Sequence, residues 1–484
     1  MLEAKFVAEL RTIVGADQVL EKHEQLRTYE SDALTSFRVQ PALVVLPVST
    51  EQVQAVVRLC HRAHIPFVPR GSGTGLSGGA LPVEGGVVIS LARMNRILDV
   101  DLLNQRVVVQ PGVINLGVTQ RVAAHGYYYA PDPSSQQICS IGGNVAENSG
   151  GAHCLKYGFT VNHVLGMKLV LPDGELVEVG GPALDTPGYD LPGIIVGSEG
   201  TLGIATEIML RIVRRAETVK TVLAAFAHTD AAGETVSGII SAGIIPAAVE
   251  MMDKLSIAAC EASVHAGFPL DAGAILLIEL DGPDAEVTRQ LAQVEAICQN
   301  AGATEYRLAR TDTERALMWK GRKAAFAAMG RISPNYIVQD GVLPRTALPE
   351  VLREIEELST KFGLRVANVF HAGDGNLHPL VLYDERIEGA EQQAETLAGE
   401  ILRSCVAHGG SITGEHGVGM DKKGYMPAMF TDADMATHQL IRCAIDPQNL
   451  CNPNKVYPTP RLCGEVPGRY HPHPLEAAGI IERF

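Results

Sequence analysis

The chain has 484 residues, 46% of them apolar and 20% charged, with 49 glycines, nine cysteines and a formal net charge of −15 at pH 7. Such a length predicts two or three domains rather than one core, and the composition is that of an ordinary globular protein. The negative charge argues against nucleic acid as a partner, and no run reaches the roughly 20 apolar residues that a membrane-spanning helix needs.

The first segment, "MLEAKFVAELRTIVG", carries acids and lacks the apolar stretch of a secretory signal. It reads as the start of a cytoplasmic protein, with at most peripheral contact at the inner face of the cell membrane. Ser49 and Gln52 form a capping box ahead of a helix at "EQVQAVVRLCHRAH". A strand over 66–69 then enters "PRGSGTGLSGGALP", Pro69 to Pro82, which puts Gly71, Gly73, Gly75, Gly78 and Gly79 within nine residues. So costly a run needs a use, either positive φ angles or close approach of the backbone to a ligand. Backbone N–H groups that converge with no side chains in the way form an anion cradle. "GTGLSG" fits the letters of the dinucleotide fingerprint, but Pro82, Gly85 and Gly86 forbid the helix that fingerprint requires, and "GVVISL" resumes as strand. No lysine stands where a Walker loop needs one. The loop reads as a diphosphate binder of a non-Rossmann kind.

Further strands fit "GVVISL" and "RVVVQ", with a helix at "INLGVTQRVAAHG" ended by Gly126. A second glycine-rich region, "DPSSQQICSIGGNVAENSGG", runs from Asp132 to Gly151, and a third, "GSEGTLGIATEIMLRI", runs from Gly197 into a strand. Three such loops on one α+β framework would surround a single elongated ligand. Beyond about residue 214 the glycine loops stop, and "TVLAAFA", 230–243, "AILLIEL" and 284–301 alternate as strand and helix in a second α+β unit.

A helix over 347–362 and the strand "RVANVF" lead into "HAGDGNLHP", where Gly373, Gly375 and Pro379 exclude a helix and place His371 and His378 on an irregular turn at a strand end. Two imidazoles there would chelate a divalent metal if a further donor arrived, and Glu415 in "GEHGVG", beside His416, supplies one. A single histidine is usually a capping or core group; three, with two acids and Asn376 in two glycine-framed loops, have no packing motive. The nine cysteines contain no C-x-x-C pair, so a zinc ribbon or iron–sulfur cluster within the chain is not expected.

"PRGSGTGLSGGA", "SIGGNVAENSGG", "GSEGTLGIATE", "VFHAGDGNLHP", "GEHGVG" and "DPQNLCNPNKVYP", in that order over nearly the whole length, resemble the FAD-linked 2-hydroxy-acid dehydrogenases. These are flavoproteins of the vanillyl-alcohol-oxidase or PCMH type, and include D-lactate and D-2-hydroxyglutarate dehydrogenases. The resemblance implies an α+β fold with a PCMH-type FAD-binding domain (1–213), a substrate or cap domain with an antiparallel sheet carrying the metal loops (214–430), and a C-terminal segment (431–484) that returns to complete the flavin site. It implies that Arg70, Gly71, Ser72, Gly73, Thr74, Gly75 and Ser77 hold the FAD pyrophosphate. Pro131, Asp132, Ser140, Gly143, Asn144 and Gly150 would line the flavin and ribityl chain, and Glu199, Gly203 and Ile204 the adenosine and isoalloxazine. Asn452 and Lys455 fall in the flavin-edge motif, where the family more often has glycine in place of Asn454.

By the same resemblance His371, His378 and Glu415 match ligands of a divalent metal, usually zinc, while His416 and Asn376 match substrate-facing groups and Arg322 the residue that holds the substrate carboxylate. The implied reaction is oxidation of glycolate or another short D-2-hydroxy acid, with His416 as general base and hydride transfer to flavin N5. Electrons would pass to a second flavoprotein subunit and an iron–sulfur subunit. With no histidine in the first glycine loop the FAD is expected to be non-covalent, although His153 and His163 leave a covalent link open. A stand-alone D-lactate or D-2-hydroxyglutarate dehydrogenase, a non-catalytic electron-transfer subunit and an ether-lipid synthase are the alternatives. The tail "RYHPHPLEAAGIIERF" suggests only a partner contact.

Overall fold

A computed structural model describes residues 2–183 and 188–458. In the first sheet Leu43–Val45, Val87–Ser90 and Phe67–Arg70 run parallel, with Val19–Leu20 antiparallel at one edge. The helix Thr50–Ala63 makes the crossover, burying Val53, Val56, Val57 and Cys60 at helical spacing against Phe67, Val87 and Ile89. Ser49 caps it by accepting from the Gln52 N–H, but the Gln52 side chain accepts from Val48 N–H, so the expected box closes one residue early. No helix follows Phe67–Arg70, and the glycine loop passes straight into Val87–Ser90.

A second, wholly antiparallel sheet has the order Ile97–Asp101, Arg106–Val109, Ile204–Arg211, Val164–Val170, Leu176–Gly180. The second glycine-rich region, expected to be loop, contains the helix Ile141–Glu147. Its glycines serve contact rather than flexibility, because a Cβ on Gly142 would come within 2.6 Å of the Pro111 ring.

The third sheet is antiparallel, with Glu305–Leu308, Thr218–Phe226, Ala274–Gly282, Ala248–Asp253 and Val366–His371 side by side, and Pro379–Tyr383 joining Val366–His371 to Asn335–Val338. Thr229–Ser241, Asp284–Asn300, Leu348–Phe362 and Ala390–Ala407 cover one face; Lys254–Val264, Asp312–Lys323 and Ala325–Met329 cover the other. With both faces covered, the central strand Ala274–Gly282 is buried almost throughout, and its first five residues, Ala274 to Ile278, read as one apolar run. The strand Ala248–Asp253 is hidden in the sequence because Glu250 interrupts its apolar run.

After the helix Asp432–Ile445 the chain returns to the first sheet, where Leu450 C=O accepts from Phe67 N–H and Asn452 N–H donates to Phe67 C=O. The C-terminal "RYHPHPLEAAGIIERF" lies outside the described residues. Among the described residues no helix is long and apolar enough to cross a membrane.

Candidate active site

All three glycine-rich segments border one cavity of about 510 Å³. Arg70, Gly71, Ser72, Gly73, Thr74 and Gly75 line it from the first, Ser140, Gly143 and Asn144 from the second, and Glu199, Gly203 and Ile204 from the third. From the large antiparallel sheet and its helices come Lys323, Phe326, Ala327, Tyr336 and Val338, and from the loop that follows the helix Ala390–Ala407 come Glu415 and His416. Two positions show why glycine is required. A Cβ on Gly71 would collide with the Ser140 hydroxyl that accepts from Ser72 N–H, and Gly73 sits at φ 71°. The buried Arg70 guanidinium turns to the Ala80 carbonyl, so the side chain shapes the loop while its residue borders the space.

Six residues expected at the cofactor do not border this cavity. Ser77 offers its carbonyl to the N–H groups of Met420 and Asp421, and the Pro131 carbonyl accepts from the Asn115 amide at 3.1 Å. Gly150 packs against Glu415, where a Cβ would lie 2.7 Å from its carboxylate. Asp132 is spent on an ion-pair cluster described below. Asn452 donates to the carbonyls of Gly79 and Glu199 at 2.9 and 2.6 Å, and Lys455 donates to Leu81 at 2.9 Å. These last two clamp the glycine loop from behind. Asn454 stands at φ 67°, a conformation that asparagine tolerates where the family favours glycine. Glu199 borders the cavity, yet its carboxylate accepts from Val418 and Gly419 N–H at 2.6 Å each and so ties the "GEHGVG" loop down.

His371 ends the strand Val366–His371 and pairs with Asn376 across a four-residue hairpin closed by Gly375 at φ 79°. The expected irregular turn is therefore a tight hairpin. His371 Nε2 and His378 Nε2 lie 3.2 and 3.3 Å from Glu415 Oε1, and the three ligand atoms fall within 4.8 Å of one another. The His378 ring is stacked on His416, with centroids 5.0 Å apart and planes 5° from parallel. Glu250 accepts from His371 Nδ1 at 2.7 Å, leaving Nε2 as an acceptor opposite a carboxylate acceptor. Only a shared proton or a cation reconciles those two groups. Burial opposes charge on His371, but Glu250 and Glu415 outweigh it and raise its pKa well above the ordinary value; burial likewise opposes charge on Glu415, and the two histidines hold its pKa low. Two imidazoles and a carboxylate, all buried, with both His378 ring nitrogens lacking a hydrogen-bond partner among the described residues, fit a divalent cation of the zinc type.

Sequence patterns do not reveal Asp340, fully buried, which organises this loop. It accepts from the Thr413 hydroxyl at 2.6 Å, from Gly414, Glu415 and His416 N–H at 2.9, 3.1 and 2.8 Å, and faces Lys422 at 3.5 Å. Asp340, His378 and His416 also lie close enough to share an ion, but the Asp340 oxygens are already committed, so Glu415 is the better donor. Glu250 is equally hidden in the sequence. It also changes the position of Arg322, which is 3% exposed, lies 2.6 Å from Glu250 and does not border the cavity. Asn376 is buried at the cluster, its amide without a partner among the described residues, and is off the cavity wall. His416 does border the cavity; burial lowers its pKa to about 4, which leaves a neutral imidazole.

His153 bridges Asp132 at 3.0 Å and Glu279 at 3.2 Å and stacks on Trp319, while Lys323 faces Asp132 at 3.4 Å. Neither His153 nor His163, whose Nε2 meets the Tyr157 carbonyl at 2.9 Å, borders the cavity. Burial disfavours the His153 cation, but the two carboxylates prevail and raise its pKa to about 10. A pKa raised on folding contributes stability that is complete below the ordinary value near 6.5 and fades as pH rises to about 10. Denaturation followed by the fluorescence of Trp319, the only tryptophan, should show stability falling across that window, and His153→Gln should flatten the fall. An unchanged slope in the variant would refute the assignment.

The family model for an FAD binding domain matches residues 41–180, and that for the C-terminal domain of FAD linked oxidases matches 215–456. In three dimensions the chain is similar to p-cresol methylhydroxylase with substrate bound, at a TM-score of 0.78 and 18% identity over 93% of this chain and 96% of that one. Fold and cavity together define a flavoprotein of the PCMH type, in which an FAD-binding unit is covered by an antiparallel-sheet cap. In sequence it is 50% identical to glycolate oxidase subunit GlcD of Escherichia coli K12 over 96% of this chain and 93% of that protein. It is 32% identical to a D-lactate dehydrogenase of Anaerostipes hadrus over 93% and 96%. The chain belongs to the FAD-linked 2-hydroxy-acid dehydrogenases.

Proposed function

We propose that the protein oxidises glycolate, or a similar short D-2-hydroxy acid, to the 2-oxo acid. One observation carries this reading: the cavity bordered by Gly71, Gly73 and Gly75 is also bordered by Glu415 and His416, so the cofactor cradle opens onto two members of the histidine cluster, while His371 and His378 contact Glu415 without bordering the cavity themselves. Bound FAD supplies the hydride acceptor, held without a covalent link, as the placement of His153 and His163 favours. A divalent cation, held by His371, His378 and Glu415, supplies a Lewis acid that lowers a hydroxyl's pKa. His416, neutral and with Nδ1 unpartnered among the described residues, accepts the hydroxyl proton. Asn376, buried beside these donors and off the cavity wall, has an amide left to position them. Arg322 fixes His371 through Glu250, and Lys323 brings positive charge to the cavity wall for the substrate carboxylate.

Residues 1–213 would form the FAD-binding domain, 214–430 the cap and 431–484 the segment that closes the flavin site, a division that the three sheets and the return at Leu450 support. The subunit status of the 50% identical relative, together with the lack of clustered cysteines, favours electron export to a second flavoprotein subunit and an iron–sulfur subunit. The similarity to a D-lactate dehydrogenase supports D-lactate as a second substrate.

Anaerobic bleaching of the flavin tests the reading with glycolate, D-lactate, L-lactate and D-2-hydroxyglutarate. Glycolate or D-lactate should reduce the flavin, and a chelator should slow that reduction by roughly 10²- to 10³-fold. If none of the acids bleaches a metal-replete sample, the function is not this one.

A further inference from the structure

The wall facing the histidine cluster comes from two short elements. On the strand Asn335–Val338, Tyr336 and Val338 alternate onto one face and border the cavity. On the helix Ala325–Met329, Phe326 and Ala327 border it too. This wall stands close to the donors, for the Phe326 ring centroid is 6.1 Å from that of His378, and Gln339 N–H donates to the Pro379 carbonyl next to His378. Its only polar side-chain atom is the Tyr336 hydroxyl, whose pKa burial raises. The cations bordering the cavity are Arg70, turned to the Ala80 carbonyl, and Lys323, which faces Asp132 at 3.4 Å. Arg322 is neutralised by Glu250.

We propose that Phe326, Ala327, Tyr336 and Val338 select 2-hydroxy monocarboxylates with no substituent, or a small apolar one, at C2 and reject 2-hydroxy diacids. The inference rests on the dehydrogenase reading above. One carboxylate and the 2-hydroxyl occupy the cationic and histidine side, so a substituent on C2 has to enter the space against this wall. A methyl group gains contact there, whereas a second carboxylate loses its hydration and finds one neutral hydroxyl and no second cation, since Lys323 is taken by the first carboxylate and Arg70 is turned to the Ala80 carbonyl. Discrimination of this kind is strong because a buried charge left unpaired costs far more than a missing methylene.

The test uses the full-length, FAD- and zinc-loaded protein, with anaerobic flavin reduction by glycolate, D-lactate, D-malate and D-2-hydroxyglutarate. The apparent second-order rate constants for the two monoacids should exceed those for the two diacids by about 100-fold or more. In Val338→Lys, and separately in Phe326→Lys, the diacid-to-monoacid ratio should rise by at least about tenfold, because the new ammonium pairs the second carboxylate. Diacids that reduce the wild-type flavin within about tenfold of glycolate overturn the inference and leave the dehydrogenase reading intact. An unchanged ratio in either variant that retains its flavin spectrum overturns it equally. Should neither variant hold FAD, the wild-type ratio decides alone. If no acid of either class bleaches the flavin, the dehydrogenase reading fails and the inference falls with it.

Discussion

Glu415→Gln is expected to slow glycolate-dependent flavin reduction on the order of 10³-fold while FAD remains bound. The carboxylate is the one anionic donor facing both His371 Nε2 and His378 Nε2, at 3.2 and 3.3 Å, and an amide there keeps the volume but loses the charge. Asp340 fixes the Glu415 backbone N–H, so the loop keeps its course and the cavity its glycine border. Stopped-flow reduction gives the rate, and elemental analysis of desalted protein gives the metal content, which should drop below that of the wild type. A variant that reduces its flavin within about tenfold of the wild type and retains its metal would remove the cation from the site.

The second large effect is structural. Asp340→Ala should destabilise the cap by about 3–5 kcal/mol, because it strips a fully buried carboxylate from three backbone N–H groups, the Thr413 hydroxyl and the Lys422 ammonium at once. The buried Lys422 ammonium would lose the one carboxylate within ion-pair distance of it among the described residues, which weighs more than any single hydrogen bond lost. Asp340→Asn should cost less, since its amide oxygen still accepts from part of the set. Urea denaturation followed by Trp319 fluorescence reads the difference, and an Ala variant within about 1 kcal/mol of the wild type would show that the loop is held from elsewhere.

How much of this arrangement is legible in the sequence depends on the distance over which each residue acts. The glycines of the first loop are readable because their requirement is local: Gly73 needs its positive φ whatever surrounds it, and Pro82, Gly85 and Gly86 forbid a helix on their own. His371, His378 and Glu415 stand out because such side chains seldom crowd glycine-framed turns without a chemical use. The C-terminal asparagine and lysine are legible as a motif but not as clamps. Asn452 reaches Gly79 across 373 residues of sequence and Lys455 reaches Leu81 across 374, spans on which no local pattern reports.

Glu250 and Asp340 are invisible for the same reason. Each is a single acid whose partners, His371 and the backbone of 414–416, lie 121 and 74–76 positions away. The resemblance implies a substrate role for Arg322, whereas its 2.6 Å pairing with Glu250 across 72 positions is visible only in the structure. The sequence by itself determined an α+β chain with a non-Rossmann diphosphate loop and a histidine-rich candidate centre, since backbone conformation and donor chemistry are properties of short segments, and the resemblance of its motifs supplied the family and FAD. Only the tertiary structure decided which of those residues border the cavity and which brace it from behind, because burial and pairing of charge arise when strands remote in sequence are packed side by side.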